Sequence, residues 1–203
     1  MASGAKVLVP DYRLAPEHPF PSALEDAVSA YRWLLDTGLA GGNICLSGDS
    51  AGGGLSIATS ISLRDAGEPS PASTTCISPW TDLKMSGHSI KTHAEIDPML
   101  NLQWLQIMAS NYAGDGDPHS PLISPLYADL KGISPLIIHV GSDEILLDDS
   151  TRLAERAKSA GVDATLNIYD QIWHVFHLTA RFVPEAQNAI KELGSFIQKH
   201  FEK

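Results

Sequence analysis

Short apolar runs and helical stripes alternate along this chain, and their order predicts most of its elements. Lys6-Val7-Leu8-Val9-Pro10 is an apolar run of the buried-strand type. Residues 11–21 hold three prolines and read as an irregular connection. Ser22-Ala23-Leu24-Glu25 fits a capping box, after which Leu24, Ala27, Val28, Tyr31, Leu34 and Leu35 follow helical spacing as far as Gly38. The runs 43–47, 74–78 and 136–140 read as strands. Between the first two, Leu55, Ile57, Ala58 and Ile61 mark a buried helix reaching about Arg64. A helix from about Asp148 turns Leu153, Ala154 and Ala157 inward and stops at Gly161. Thr165–Tyr169 alternates as an edge strand does. Pro184 opens a last helix with Ala186, Ile190, Leu193 and Ile197 on one face. Strands alternating with helices predict an α/β protein, a mainly parallel sheet covered on both faces.

Residues 82–131 break this rhythm. They are rich in Pro, Gly, Ser and His, with one helical patch near Leu100–Met108. Roughly fifty such residues are too many for a simple connection, so a cap-like excursion within a single 1–203 domain is expected. The net charge of −10 and the scattered basic residues argue against nucleic-acid or anionic-membrane partners. No apolar span of about 18 residues is present, and the N-terminus has no signal-peptide pattern, so a cytoplasmic protein is expected. Cys45 and Cys76 lie in apolar runs and are expected to be reduced structural thiols.

The chemistry centres on Gly48-Asp49-Ser50-Ala51-Gly52. A serine between a β-prone run and a buried helix is the setting in which G-x-S-x-G makes a nucleophile elbow. Gly48 and Gly52 are expected where a side chain would crowd the strand–helix approach. A serine hydroxyl needs a base, and the base needs an orienting group. Both belong past the C-terminal ends of later strands. Asp143 comes first after the strand ending at Val140, and Glu144 is the next candidate. Asp148 and Asp149 start a helix, where carboxylates are expected for capping alone. His174 follows the last strand with an apolar flank and is the candidate base, with His177 behind it. His139, inside a strand, reads as a core histidine. The N–H of Ala51 is the one evident oxyanion donor. The remaining histidines show no metal-ligand spacing, so neither a metal nor a cofactor is expected.

With these residues in view, the chain resembles the hormone-sensitive-lipase-like family of α/β hydrolases, the bacterial family IV carboxylesterases. The resemblance rests on Asp11-Tyr12-Arg13-Leu14-Ala15-Pro16-Glu17-His18-Pro19-Phe20-Pro21, Gly48-Asp49-Ser50-Ala51-Gly52-Gly53, Ser120-Pro121-Leu122-Ile123-Ser124-Pro125-Leu126, Gly141-Ser142-Asp143-Glu144 and His174-Val175-Phe176-His177. It implies an α/β-hydrolase fold with a partial cap segment, truncated at the N-terminal side, and Ser50, Asp143 and His174 as the triad. It implies a structural role for the Tyr12–Glu17 block. It also implies a His-Gly-Gly oxyanion motif upstream of that block, which this sequence does not contain. Weak activity is one expectation, since losing a donor typically costs about 10² to 10³ in turnover. The other is an unpaired side on the nucleophile strand, covered by a homo-oligomer unless the Val7 strand moves across to close it.

Two functions fit. One is a serine carboxylesterase acting on short-chain esters through an acyl-enzyme. The other is a catalytically impaired remnant of the fold that binds small molecules. A peptidase of the same fold has no supporting feature.

Overall fold

The computed structural model describes residues 2–201. Four strands, β1 (Cys45–Asp49), β2 (Ser73–Ile77), β3 (Leu136–Gly141) and β4 (Ala164–Tyr169), form one sheet in the order 1-2-3-4. All three pairings are parallel, with Gly48 opposite Cys76, Ile77 opposite His139 and Gly141 opposite Tyr169. The C-terminal ends of all four strands therefore lie along one rim. The helices are α1 (Ser22–Asp36), α2 (Ala51–Asp65), the single-turn α3 (Ser89–Thr92), α4 (Leu102–Ala113), α5 (Leu147–Ser159) and α6 (Pro184–His200).

The two-residue period of the strands divides the core. Cys76 of β2 and Leu136 and Ile138 of β3 pack with Ile57 and Ile61 of α2 and Leu153, Ala154 and Ala157 of α5. Leu24, Val28 and Tyr31 of α1 extend that layer against Ile44, Ala58 and Leu63. The opposite face is thinner. Phe176 packs there on Ala186 and Ala189 of α6, with Tyr169 alongside. Toward β1 that face runs out, and Ser47 and Asp49 are exposed. The even two-sided cover expected from the strand–helix alternation thus holds over β2–β4 and fails at β1.

Two local expectations change. Residues 6–10 form no strand: Val7 and Val9 are 79% and 81% exposed. An apolar run becomes a strand only where a neighbour's N–H and C=O groups complete it, and nothing pairs with this one. The Val7 segment therefore does not close the gap, and β1 keeps a bare edge. The capping box does not form either. Helix α1 begins at Ser22 with Pro21 in the cap position and no side-chain cap, and the Glu25 carboxylate pairs with Arg13 at 3.0 Å. Arg13 also forks onto Asp26, which ties the Tyr12–Glu17 block to α1. Cys45 and Cys76 are both free, as expected, Cys76 buried and Cys45 half-buried.

Between β2 and β3 the chain carries α3, α4 and a core of its own. Leu83, Ile90, Leu105, Ala109 and Ile123 pack against Ile145 and Leu146 just before α5. Carboxylates pin this segment down. Asp149 accepts from the N–H groups of Thr81 and Asp82 at 2.7 and 2.8 Å, and Asp148 from those of His88 and Ser89. Among the described residues, no helix is long and apolar enough to cross a membrane.

Candidate active site

The elbow is built from close backbone approaches. Ser50 sits at φ 52, ψ −120, a region non-glycine residues avoid, and α2 starts at the next residue. Its N–H donates to Ile77 O at 2.9 Å, and its carbonyl accepts from Gly53, Gly54 and Trp80 at 3.0, 3.2 and 2.9 Å. These four bonds hold the strained residue in place. A Cβ on Gly48 would lie 2.1 Å from Gly52 O, and one on Gly54 would lie 2.2 Å from Trp80 O. Gly52 is different. A Cβ there meets nothing within 4 Å, so crowding does not explain that glycine. Ala51 opens α2, where first-turn N–H groups have no intrahelical acceptor.

The carboxylate and imidazole come from the ends of β3 and β4. A Cβ on Gly141 would lie 2.0 Å from Ile172 O, so only glycine lets the loop after β4 press against the end of β3. Ser142 N–H donates to Tyr169 O and Asp143 N–H to Ile172 O, which fastens the two loops together. In that setting Glu144, not Asp143, reaches His174. Glu144 Oε2 accepts from His174 Nδ1 at 2.8 Å, with both side chains buried. Glu144 Oε1 accepts from Gly141 N–H at 2.6 Å and Ser78 Oγ at 2.7 Å. The Asp143 carboxylate instead accepts from the neighbouring Ser142 Oγ at 2.9 Å. The turn from Gly141 folds the 144 side chain back under the strand end and leaves 143 on the loop side. Asp148 and Asp149 are spent on the 81–89 backbone.

Ser78 was not anticipated from sequence, and it is the node of the site. Its hydroxyl donates to Glu144 and accepts from Val175 N–H at 3.1 Å, while its own N–H donates to His139 O at 2.7 Å. It follows Ile77, whose carbonyl holds Ser50. One dipeptide at the end of β2 thus contacts the serine, the carboxylate and the histidine turn. Among the described residues, Ser50, Ser78 and Val175 are three of the five non-glycine residues with positive φ, and a fourth, Gln171, lies in the histidine loop. For β-branched Val175, φ 50 is a strong outlier, and such strain gathers where surrounding contacts over-determine a functional geometry. The only sequence hint was the position of Ser78 at the end of the apolar run 74–78, and in the structure the strand stops one residue before it.

His177 is buried and turned away from Glu144, toward His139 at 3.1 Å. Among the described residues, no group of three His, Cys, Asp or Glu side chains is arranged to hold a metal. A concave surface lined by Leu39, Gly41, Pro69, Ala72 and His200 lies by the N-terminal ends of β1 and β2, away from Ser50. In open α/β sheets ligands bind at the other end.

An elbow serine, a buried carboxylate–imidazole pair and a parallel sheet define the α/β-hydrolase class. The alpha/beta hydrolase fold family matches residues 1–178, and the chain belongs to it. An acetyl-hydrolase of Streptomyces hygroscopicus is 45% identical over 197 residues, covering 97% of this chain and 66% of that protein. A crystal structure of an esterase from the bacterial hormone-sensitive lipase family matches with TM-score 0.97 at 49% identity, over 99% of this chain and 68% of that one. EstE5, in a crystal soaked by p-nitrophenyl butyrate, matches with TM-score 0.95 at 50% identity, over 98% of this chain and 67% of that one. The chain spans about two thirds of the length of these proteins.

Proposed function

We infer that the chain carries the catalytic machinery of a serine carboxylesterase, with Ser50 as nucleophile, His174 as base and Glu144 as the orienting acid. The observation that carries this reading is the buried Glu144–His174 pair. With Nδ1–H donated to a carboxylate, the neutral ring presents Nε2 as its basic atom. That nitrogen takes the Ser50 proton as Oγ attacks the ester carbonyl, and Glu144 stabilises the imidazolium that forms. The ring returns the proton to the leaving alcohol, and water then releases the acyl group by the same route. The Ala51 N–H, in the first turn of α2, is the proposed oxyanion donor. The acid role moves from Asp143, first in order along the chain, to Glu144.

Short-chain esters are the proposed substrates. The Streptomyces relative is named an acetyl-hydrolase, and EstE5 was soaked by a butyrate ester. The test is intact mass after treatment with an alkyl phosphonofluoridate, together with p-nitrophenyl butyrate hydrolysis, for wild type and Ser50→Ala. One phosphonyl adduct and turnover, both lost in the variant, are expected. Equal behaviour of the two proteins would leave the small-molecule-binding remnant as the reading. The bare edge of β1 and the exposed Val7 and Val9 support a second copy pairing there. Light scattering that shows only monomer at micromolar concentration removes that part.

A further inference from the structure

Behind the proposed catalytic histidine lies a second pair that the chemistry above does not use. His139 of β3 is fully buried, and His177, three residues beyond His174, is 6% exposed. Their rings meet edge to edge, 30° from coplanar with centroids 5.3 Å apart, and His139 Nδ1 faces His177 Nε2 at 3.1 Å.

The surrounding groups fix which atoms carry protons. Asn167 Nδ2 lies 3.0 Å from the Glu192 carboxylate, which only accepts, so the amide nitrogen points there. Its second hydrogen faces His139 Nε2 at 3.2 Å, which makes that nitrogen an acceptor. His139 therefore carries its proton on Nδ1. Tyr169 donates to Glu192 at 2.8 Å, so its oxygen accepts from the same Nδ1–H at 3.2 Å. His177 Nε2 accepts from it as well, which leaves the His177 proton on Nδ1, an atom buried without a partner. Every proton in the cluster is assigned, and the arrangement holds only while both rings are neutral.

We propose that His177, clasped by His139, is a positioning residue for His174, and that acid releases the clasp and with it the catalytic turn. The proposal rests on the triad reading above. A proton added to His177 Nε2 sets two N–H groups against each other across 3.1 Å. A proton added to His139 Nε2 opposes the Asn167 amide in the same way. The groups facing the pair are Tyr169 and Asn167 of β4 and Glu192 of α6. Only the half-exposed Glu192 carboxylate, 3.8 Å from His139 Nε2, offers a cation any compensation. Burial outweighs it and lowers both histidines to about 4, with the partner ring adding to the shift of His177. The link to the chemistry is short. Residues 176–179 form one tight turn behind Val175, whose N–H is bound to Ser78.

The test compares wild type, His177→Gln and His177→Leu. Glutamine offers an uncharged acceptor where Nε2 sits, and leucine offers none. In wild type, log kcat/KM for p-nitrophenyl butyrate should show a second acid break near 4. The Gln variant should lose one proton from the slope below it. The Leu variant should lose about tenfold or more in kcat at neutral pH with KM little changed, as a displaced catalytic ring does, and Gln should recover most of that loss. Amide exchange of residues 172–180, corrected for the intrinsic rate, needs no turnover. It should rise on acidification in wild type and rise less steeply in the Gln variant, where only His139 still titrates. A Gln variant with wild-type slope and exchange, or a Leu variant with wild-type kcat, overturns the proposal. If Ser50-dependent hydrolysis is absent altogether, the triad reading has failed, and the exchange measurement alone decides the clasp.

Discussion

Replacing Glu144 by Gln tests the assignment of the acid with the smallest change of shape. The wild-type carboxylate accepts three hydrogen bonds, from Gly141 N–H, Ser78 Oγ and His174 Nδ1. Glutamine supplies one oxygen and one donor. With the oxygen kept on Gly141 and Ser78, the amide hydrogens face Nδ1. The ring can answer only by moving its proton to Nε2, the atom that must receive the Ser50 proton. A triad histidine held in the wrong tautomer loses about 10⁴ in turnover, or about 5.5 kcal/mol of transition-state stabilisation. Stability should fall much less. Hydrogen bonds to a charged acceptor exceed neutral ones by about 1 kcal/mol each, while the cost of burying a charge disappears. A net loss of about 1–3 kcal/mol leaves a domain of ordinary stability folded. Asp143→Asn touches only the Ser142 contact and should change kcat/KM by less than about threefold. The assay is kcat/KM for p-nitrophenyl butyrate on both variants, with circular dichroism to confirm folding. A folded Glu144→Gln protein with more than a tenth of wild-type activity, or an Asp143→Asn protein as damaged as it, refutes the assignment.

The two glycines that flank the elbow should behave oppositely. Gly48→Ala drives a Cβ to 2.1 Å from a backbone oxygen and should cost about 1–3 kcal/mol or more, whereas Gly52→Ala enters open space at a helical position and should stabilise by up to about 1 kcal/mol. Urea midpoints separate them, and equal midpoints would sink the packing argument. Burial raises the Asp149 carboxyl from 3.8 to about 7, against the two N–H groups it accepts from and with Asp82 adding to the rise. Between those values the folded state binds more protons than the unfolded one, so this group's contribution to stability falls as pH rises through the window. Asp149→Asn should therefore melt higher than wild type at pH 8, at about 2–4 °C per kcal/mol, with the gap closing toward pH 4. A gap that widens on acidification would reverse the sign and the reasoning.

The amino-acid order alone was enough for the elements whose signals are local. The helical stripe from Leu24 to Leu35, the buried runs of β2 and β3, and the glycine–serine elbow all announce themselves within about fifteen residues, because helix and strand periods are properties of a short segment. That the elbow serine, a histidine after the last strand and a carboxylate after β3 lie along one rim also followed from order, since a parallel sheet brings every strand's C-terminal end to the same side. Tertiary structure decided the rest. Glu144 and Asp143 are adjacent in sequence and chemically alike, and only the fold of the Gly141 turn against Ile172 aims one of them at His174. Ser78 looks like any serine at the end of an apolar run until the loops after β3 and β4 converge on its hydroxyl. Val7–Val9 has the composition of a strand, yet a strand needs a neighbour's hydrogen bonds, and no stretch of sequence specifies its own neighbour. The His139–His177 clasp joins residues 38 positions apart, and no periodicity links them.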